Sequence, residues 1–364
     1  MNIPTIAIVG EAWDVEEERL KIPFVGPSGA LLLQMLDESS LMPLTPQDHF
    51  HFRSYWSSGK DSNYLALIWA AHPEVLCTNV FNLHPEGNNL ALLCTSKSEG
   101  AADYPPLLPG KYLKAEYVPH VQSLLSLLRE RSPNLILALG NTAAWAVLRK
   151  TSISKIRGTA VESIVGIKCL PAYHPAAILR QYDLRAVTVL DFQKAKRESA
   201  FREIKRPERT VYIEPDLKDL EWFHEAHIAG AKRLAVDIET NGDQITCIGF
   251  APSRETAIVV PFQDFRKGGN YWATADEELL ALRWIRRVLE SPAGKVFQNG
   301  LFDLHRIFRG YGIRVLNCVD DTMLLSHSLH PEAPKGLAYL GSVWSNESSW
   351  KLDIRHSKTI KKEA

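Results

Sequence analysis

Four short apolar runs constrain the fold of this chain more than any other feature. They lie at 3–9 (IPTIAIV), 75–81 (VLCTNVF), 135–139 (LILAL) and 167–172 (IKCLPA). Each is short for a helix, and none alternates apolar with polar residues. Strands of that kind are buried on both faces, as in a parallel sheet covered by helices. Helical patterns at 28–38, over much of 114–131, at 142–150 and at 185–203 supply the covering layers. The reading is an α/β domain over residues 1–200, a three-layer α/β/α arrangement around a parallel four-stranded sheet. Ligands of such sheets bind beyond the carboxyl ends of the strands. The runs end in small or polar residues, at Gly10-Glu11, Thr78-Asn79, Gly140-Asn141 and Tyr173-His174-Pro175, which places the chemistry on one rim.

Residues 43–74 show no clean period before about Asn63 and read as an inserted loop with a short helix. Its His49, His51, Tyr55 and Trp56 either touch DNA or cover an edge of the core. The stretch 194–209 carries seven Lys/Arg against three Asp/Glu. Its cations are either a solvated helix face or a phosphate-facing patch, and 201–209 reads as a basic linker. Beyond it the pattern changes. Runs at 232–239, 244–251 and 255–261 read as an antiparallel meander, and helical patterns follow at 276–290, 300–310 and 321–329. A second domain is therefore placed at 210–364.

Lys plus Arg number 42, as do Asp plus Glu, so no global basic field draws nucleic acid to the chain. Any DNA contact must come from local patches. The five cysteines, Cys77, Cys94, Cys169, Cys247 and Cys318, include no C-x-x-C pair, which points to a reducing compartment. No run approaches the roughly 18 consecutive apolar residues that span a bilayer, and Met1-Asn2-Ile3-Pro4 opens no signal sequence. A cytoplasmic protein without membrane contact is expected.

Four stretches then recur in one order. They are Gly10-Glu11-Ala12 with Ile22-Pro23-Phe24-Val25-Gly26-Pro27-Ser28-Gly29-Ala30-Leu31-Leu32; Thr78-Asn79-Val80 with Pro85-Glu86-Gly87-Asn88; Leu139-Gly140-Asn141-Thr142-Ala143; and Leu170-Pro171-Ala172-Tyr173-His174-Pro175, running on to Arg180. Together they resemble the motifs of the uracil-DNA glycosylase superfamily, its family 4 branch in particular, over roughly residues 3–200. The resemblance implies excision of uracil from DNA by base flipping. An amide donates and accepts at once, so Asn79 is the candidate reader of uracil N3–H and O4. Phe24 is the candidate stacking ring. Bond cleavage leaves negative charge on uracil and positive character on the sugar. His174 is the candidate donor at uracil O2, and Glu11 the candidate carboxylate near the sugar and water. Ser28 and Arg180 are candidate phosphate contacts.

Two departures stand out. Trp13-Asp14 replaces the Pro-Gly that usually follows G-E-A, and the four cysteines of a family 4 iron–sulfur cluster are not in place. Leu83 stands where the third is expected and Cys94 has no companions, so no iron–sulfur cluster is predicted. The loop such a cluster braces must be held otherwise, and 43–74 is the candidate brace.

A second constellation lies in the C-terminal half. In Leu234-Ala235-Val236-Asp237-Ile238-Glu239-Thr240 strand alternation puts Asp237 and Glu239 on one face. Adjacent carboxylates repel unless a cation separates them, which suits a divalent metal. Asn299-Gly300-Leu301-Phe302-Asp303 and Val319-Asp320-Asp321-Thr322 follow, then Gly336-Leu337-Ala338-Tyr339-Leu340. These resemble the first motifs of the DEDD 3′-5′ exonucleases, as found in the proofreading domains of bacterial and phage family A DNA polymerases. The resemblance implies an RNase H-like α/β domain in which Asp237, Glu239 and Asp303 hold Mg2+ or Mn2+. Asp321 reads as a helix cap. The third motif, expected after Leu340, is not found. The exonuclease domain thus reads as incomplete at its C-terminus, with DNA as substrate and a polymerase polypeptide as a candidate source of the remainder. A phage setting, acting in the bacterial host cytoplasm, follows from the same resemblance. The competing reading is a non-catalytic module that recognises uracil or DNA and tethers a replication partner.

Overall fold

The computed structural model describes residues 5–266 and 268–345 and divides the chain between Ile204 and Lys205. In the first unit five strands order as Val75–Phe81, Ile6–Ala12, Leu135–Leu139, Lys168–Ala172, Val161–Glu162. The first four run parallel, as the apolar runs predict, and the last is a two-residue antiparallel edge that they did not reveal. Burial on both faces is explicit in the alternation. Ile6, Ile8, Leu135, Leu137, Leu139, Leu170 and Ala172 enter one core layer. Ala7, Val9, Ile136, Ala138 and Cys169 enter the other. The strand order reverses at Ile6–Ala12, whose successor lies on one side and Leu135–Leu139 on the other, so a crevice opens at the carboxyl ends there.

Residues 43–74 are not a loop. Helices Pro46–Ser57 and Asn63–Ala71 fill the segment. Thr45 caps the first in a capping box with Asp48, and Pro46 occupies its first turn. That helix is amphipathic only weakly, which hides it from a periodicity count. Tyr55 is fully buried, as a core-covering residue, and His49 lies 3.7 Å from Asp37. Nor does the segment brace the region around Leu83. Met42, Tyr55, Leu65, Ile68 and Trp69 pack into one layer, while Leu83, Leu90, Leu93, Cys94, Leu107 and Leu113 belong to the opposite one. The loop after Cys94 is held there by the Trp145 indole, which donates to the Pro105 carbonyl at 2.8 Å, and by Arg149 stacked on Tyr104.

The basic stretch is partly internal. Lys194 is buried, its ammonium donating to the Gly158, Ser342 and Ser345 carbonyls, and burial lowers its pKa to about 8. Arg157 pairs with buried Asp191 and donates to Ser342 at 3.0 Å. Gly341–Ser345 therefore packs as part of the first compact unit. Residues 346–364, which include the basic tail, lie outside the described residues, as does Ile3-Pro4 of the first apolar run.

The second unit carries a six-stranded sheet ordered Cys318–Asp321, Gly294–Phe297, Arg233–Asn241, Gln244–Ala251, Thr256–Pro261, Thr210–Tyr212. Its centre is the expected antiparallel meander, extended by two parallel strands on one side, which is the RNase H-like arrangement. Helix Ala275–Leu289 turns Ala281, Trp284, Ile285, Val288 and Leu289 into the core at helical spacing. No helix of the described residues is long and apolar enough to cross a membrane.

Candidate functional site

Gly10 and Asn79 are direct neighbours in the parallel register. A Cβ on Gly10 would stand 2.1 Å from Asn79 Oδ1 and 2.6 Å from Phe24 Cζ. Only glycine lets amide and ring converge over the strand end. Phe24 adopts a left-handed backbone, φ 58°, and is locked on both sides. Its N–H donates to Glu17 Oε1 at 2.6 Å, and its carbonyl accepts from Trp69 Nε1 at 3.0 Å. A Cβ on Gly29 would overlap that carbonyl at 1.8 Å. The Phe24 ring centroid lies 6.1 Å from the His174 imidazole. Asn79, Phe24 and His174 are thus brought together.

His174 caps the helix Pro175–Arg180, with Nδ1 accepting from the Ala176 N–H at 3.2 Å. Burial, assisted by the Arg180 charge, lowers its pKa to about 4. At neutral pH the ring is uncharged, and because Nδ1 accepts, the proton sits on Nε2. Glu11 Oε2 accepts from Thr142 Oγ1 at 2.5 Å. Burial raises the Glu11 pKa, against the Thr142 hydrogen bond and the attraction of Arg180. Arg180 thereby acts on both groups from the exposed last turn of its helix. Ser28 stands half-buried in the first turn of Pro27–Glu38, whose Gly26 N-cap offers no side-chain acceptor.

Three site residues were not singled out from the sequence. Thr142 lies inside a quoted motif without a role assigned. Gly10 marks the close approach described above. Glu17, buried, receives the Phe24 N–H, the Asp14 N–H at 3.2 Å and Asn79 Nδ2 at 3.4 Å. In the run Glu16-Glu17-Glu18 nothing distinguishes it, since only the helix Val15–Leu20 decides which of the three points inward. The Trp13-Asp14 departure has a local reason. Asp14 caps that helix in a capping box with Glu17. Its Oδ2 also stands where a Cβ on Gly26 would be, so an acid lies at the start of Pro27–Glu38. Leu83 is partly buried, and Cys94, buried, donates to the Leu90 carbonyl at 3.5 Å.

In the second unit Val236 and Ile238 point into the core, and Asp237 and Glu239 point out. Asp303 is buried one turn into Gly300–Tyr311 and accepts from the Ile238 N–H at 3.1 Å, which ties it to the same strand. Burial, then the charges of Asp237 and Asp321, raise its pKa to about 6. Asp321 caps Thr322–Leu329 through the Met323 and Leu324 N–H groups and accepts from Asn299 and Gly300 as well. Among the described residues no three His, Cys, Asp or Glu side chains close into a ready-made metal cage. Hard oxygen donors that repel one another nevertheless fit a divalent cation by their chemistry.

Residues 3–205 match the uracil DNA glycosylase superfamily, and residues 210–362 match a 3′-5′ exonuclease family. A type-4 uracil-DNA glycosylase of Thermotoga maritima is 27% identical over 200 residues, covering 54% of this chain and 78% of that protein. Among solved structures, Brucella melitensis NrnC with bound Mg2+ is 17% identical with a TM-score of 0.27, the match covering 40% of this chain and 66% of that one. Escherichia coli RNase D, an exoribonuclease involved in structured RNA processing, is 18% identical with a TM-score of 0.30, covering 41% and 36%. The chain spans less than two thirds of either of those structures. With its motifs converging on one rim and its first 200 residues matched end to end, the chain belongs to the uracil-DNA glycosylase superfamily and, with an exonuclease-family domain following, is a DNA-processing hydrolase.

Proposed function

We propose that the first unit excises uracil from DNA by flipping the base onto the rim where Asn79, Phe24 and His174 meet. The observation that carries the reading is the convergence of the Asn79 amide, the Phe24 ring and the His174 imidazole over Gly10, with His174 Nδ1 taken by the Ala176 N–H so that Nε2 is left for a ligand. Asn79 offers the donor and acceptor that uracil O4 and N3–H require. Phe24 stacks on the extruded ring. His174 Nε2–H donates to O2 as negative charge develops there. Glu11, anionic and steadied by Thr142, faces the positive sugar and orients water. Arg180 and Ser28 meet the flanking phosphates. Incubating the protein with a uracil-containing oligonucleotide and cleaving abasic sites with alkali tests the reading. No abasic product at high enzyme excess removes it.

For the second unit the reading is 3′-end phosphodiester hydrolysis, supported by the carboxylate group. Asp237, Glu239 and Asp303 are the residues that would hold Mg2+ or Mn2+. A divalent cation supplies positive charge to the attacked phosphate when bound. Asp303 is positioned by the Ile238 N–H, while Asp237 and Glu239 present their oxygens from the strand face. Weak activity is the expectation for the isolated chain, with a polymerase polypeptide as the candidate partner. In that setting the pair of domains serves DNA replication and repair.

A further inference from the structure

We propose that Glu17 is a positioning residue that makes this pocket a reader of uracil rather than cytosine, by holding the Asn79 amide in one of its two orientations. The inference rests on the uracil-excision reading above. A carboxamide has nearly the same shape when turned end for end, so packing alone does not choose between Oδ1 and Nδ2. The choice decides the base. Uracil presents a donor at N3 and an acceptor at O4. Cytosine presents an acceptor at N3 and a donor at N4. An amide in one orientation pairs with the first, and the turned amide pairs with the second.

The structure supplies what breaks the tie. Asn79 Oδ1 lies on the Gly10 side and Nδ2 on the Glu17 side. Glu17 Oε2 accepts from Nδ2 at 3.4 Å, and an amide nitrogen carries a second hydrogen that can serve the base. A carboxylate only accepts, so it selects the amide nitrogen. The turned amide would set oxygen against oxygen in a buried site. Glu17 cannot swing away. It is 5% exposed, and the Phe24 N–H and Asp14 N–H fix its two oxygens. The groups facing it are the Asp14 carboxylate from the cap of its own helix, the Cys77 thiol and Asn79 from the neighbouring strand, and the Phe24 backbone. Burial, then Asp14, raise the Glu17 pKa to about 7. Protonated on Oε2, it donates instead of accepting and favours the turned amide.

The test uses the full chain and single-stranded oligonucleotides carrying 2′-fluoro-2′-deoxyuridine or 2′-fluoro-2′-deoxycytidine, whose fluorine blocks cleavage but leaves the base edges intact. In Glu17→Gln the glutamine amide can offer a donor or an acceptor, so the uracil-to-cytosine affinity ratio should fall about tenfold. In the unmodified chain the same ratio should fall as pH drops through about 7, and it should stay flat in Glu17→Gln. Glu11 and His174 serve both bases alike, so the ratio cancels their titration. A ratio unchanged in Glu17→Gln, including one where both affinities weaken together, overturns the inference. If circular dichroism shows Glu17→Gln unfolded, the pH series on the unmodified chain decides, and a flat series overturns it. An unmodified chain that binds neither base and makes no abasic product overturns the excision reading and this inference with it.

Discussion

Glu17 and Asp303 are both buried carboxyls with pKa values raised, to about 7 and about 6, yet they sit in sites of opposite character. Around Glu17 one like charge, Asp14, is offset by three donors, the N–H groups of Phe24 and Asp14 and the Asn79 amide. Around Asp303 the Ile238 N–H donates, but Asp237 and Asp321 add negative charge. Burial supplies the larger part of both shifts, so the raised value alone does not say what a carboxyl is for. Its neighbours do. The first set suits the proposed reader of a neutral base, since each oxygen of Glu17 has a protein donor. The second concentrates like charge, as a cation site must.

The largest effect that sharpens this contrast is at His174. Removing the donor aimed at developing charge costs on the order of 100- to 1000-fold in rate. His174→Ala should therefore lower single-turnover uracil excision by that factor and leave any 3′-end degradation unchanged, with both products followed on one labelled strand. A chelator should do the reverse. Equal sensitivity of both activities to either treatment would erase the distinction between the two sites.

Next comes cation binding. A ligand held only by the folded state adds roughly 2.7 kcal/mol of stability at a hundred times its Kd. Mg2+ or Mn2+ should raise the unfolding midpoint of the second unit, read by calorimetry, and Asp303→Asn should blunt that rise. The variant without cation should melt no lower than the unmodified chain, because a buried charge beside Asp237 and Asp321 is gone. An undiminished cation response in Asp303→Asn would take Asp303 out of the ligand set.

The same contrast explains what the sequence made legible. Parallel strands buried on both faces announce themselves as unbroken apolar runs, so the four parallel strands of the first sheet and the three central strands of the second could be read, while Val161–Glu162, Thr210–Tyr212, Gly294–Phe297 and Cys318–Asp321 could not. Asn79, Phe24 and His174 could be named because they lie in ordered motifs, Asn79 and His174 at strand ends and Phe24 in the turn before Pro27–Glu38. Glu17 could not, because a run of three glutamates carries no sign of which one turns inward. Helix Pro46–Ser57 escaped because its polar and aromatic residues follow no clear stripe, although Thr45-Pro46-Gln47-Asp48 is a readable capping box. The anchoring of Lys194 by the Ser342 and Ser345 carbonyls joins residues about 150 apart, which no local pattern encodes.

Glu11 offers a smaller test, through pH. It must be anionic to face the positive sugar, and burial raises its pKa. Excision should therefore decline as pH falls, starting at a higher pH than an exposed glutamate would give, by about tenfold per pH unit once below the pKa. His174, at about 4, stays neutral through that range and does not shape the profile. A Glu11→Gln chain should be slow and should lose the Glu11 step, keeping only the weaker decline that Glu17 imposes near pH 7. A profile in which activity rises on acidification would mean that a protonated group, not a carboxylate, limits the reaction.

The smallest expected effect concerns how the stacking ring is held. Phe24 has a left-handed backbone, which a residue with a Cβ adopts only when its surroundings insist. Two contacts insist here, the Glu17 carboxylate on its N–H and the Trp69 indole on its carbonyl. Trp69→Phe keeps an aromatic ring in the core layer but removes the second contact, leaving a buried carbonyl short of its donor. The loss should be about 1 kcal/mol, seen as a lower urea midpoint at unchanged slope. Excision should slow by a factor of a few, with cytosine still rejected, since the Glu17–Asn79 contact is untouched. Trp69→Phe and Glu17→Gln would then separate two supports of one pocket, the first holding the ring in place and the second deciding which base edge is read. A loss of base discrimination in Trp69→Phe as large as in Glu17→Gln would show that ring and amide move as a single unit.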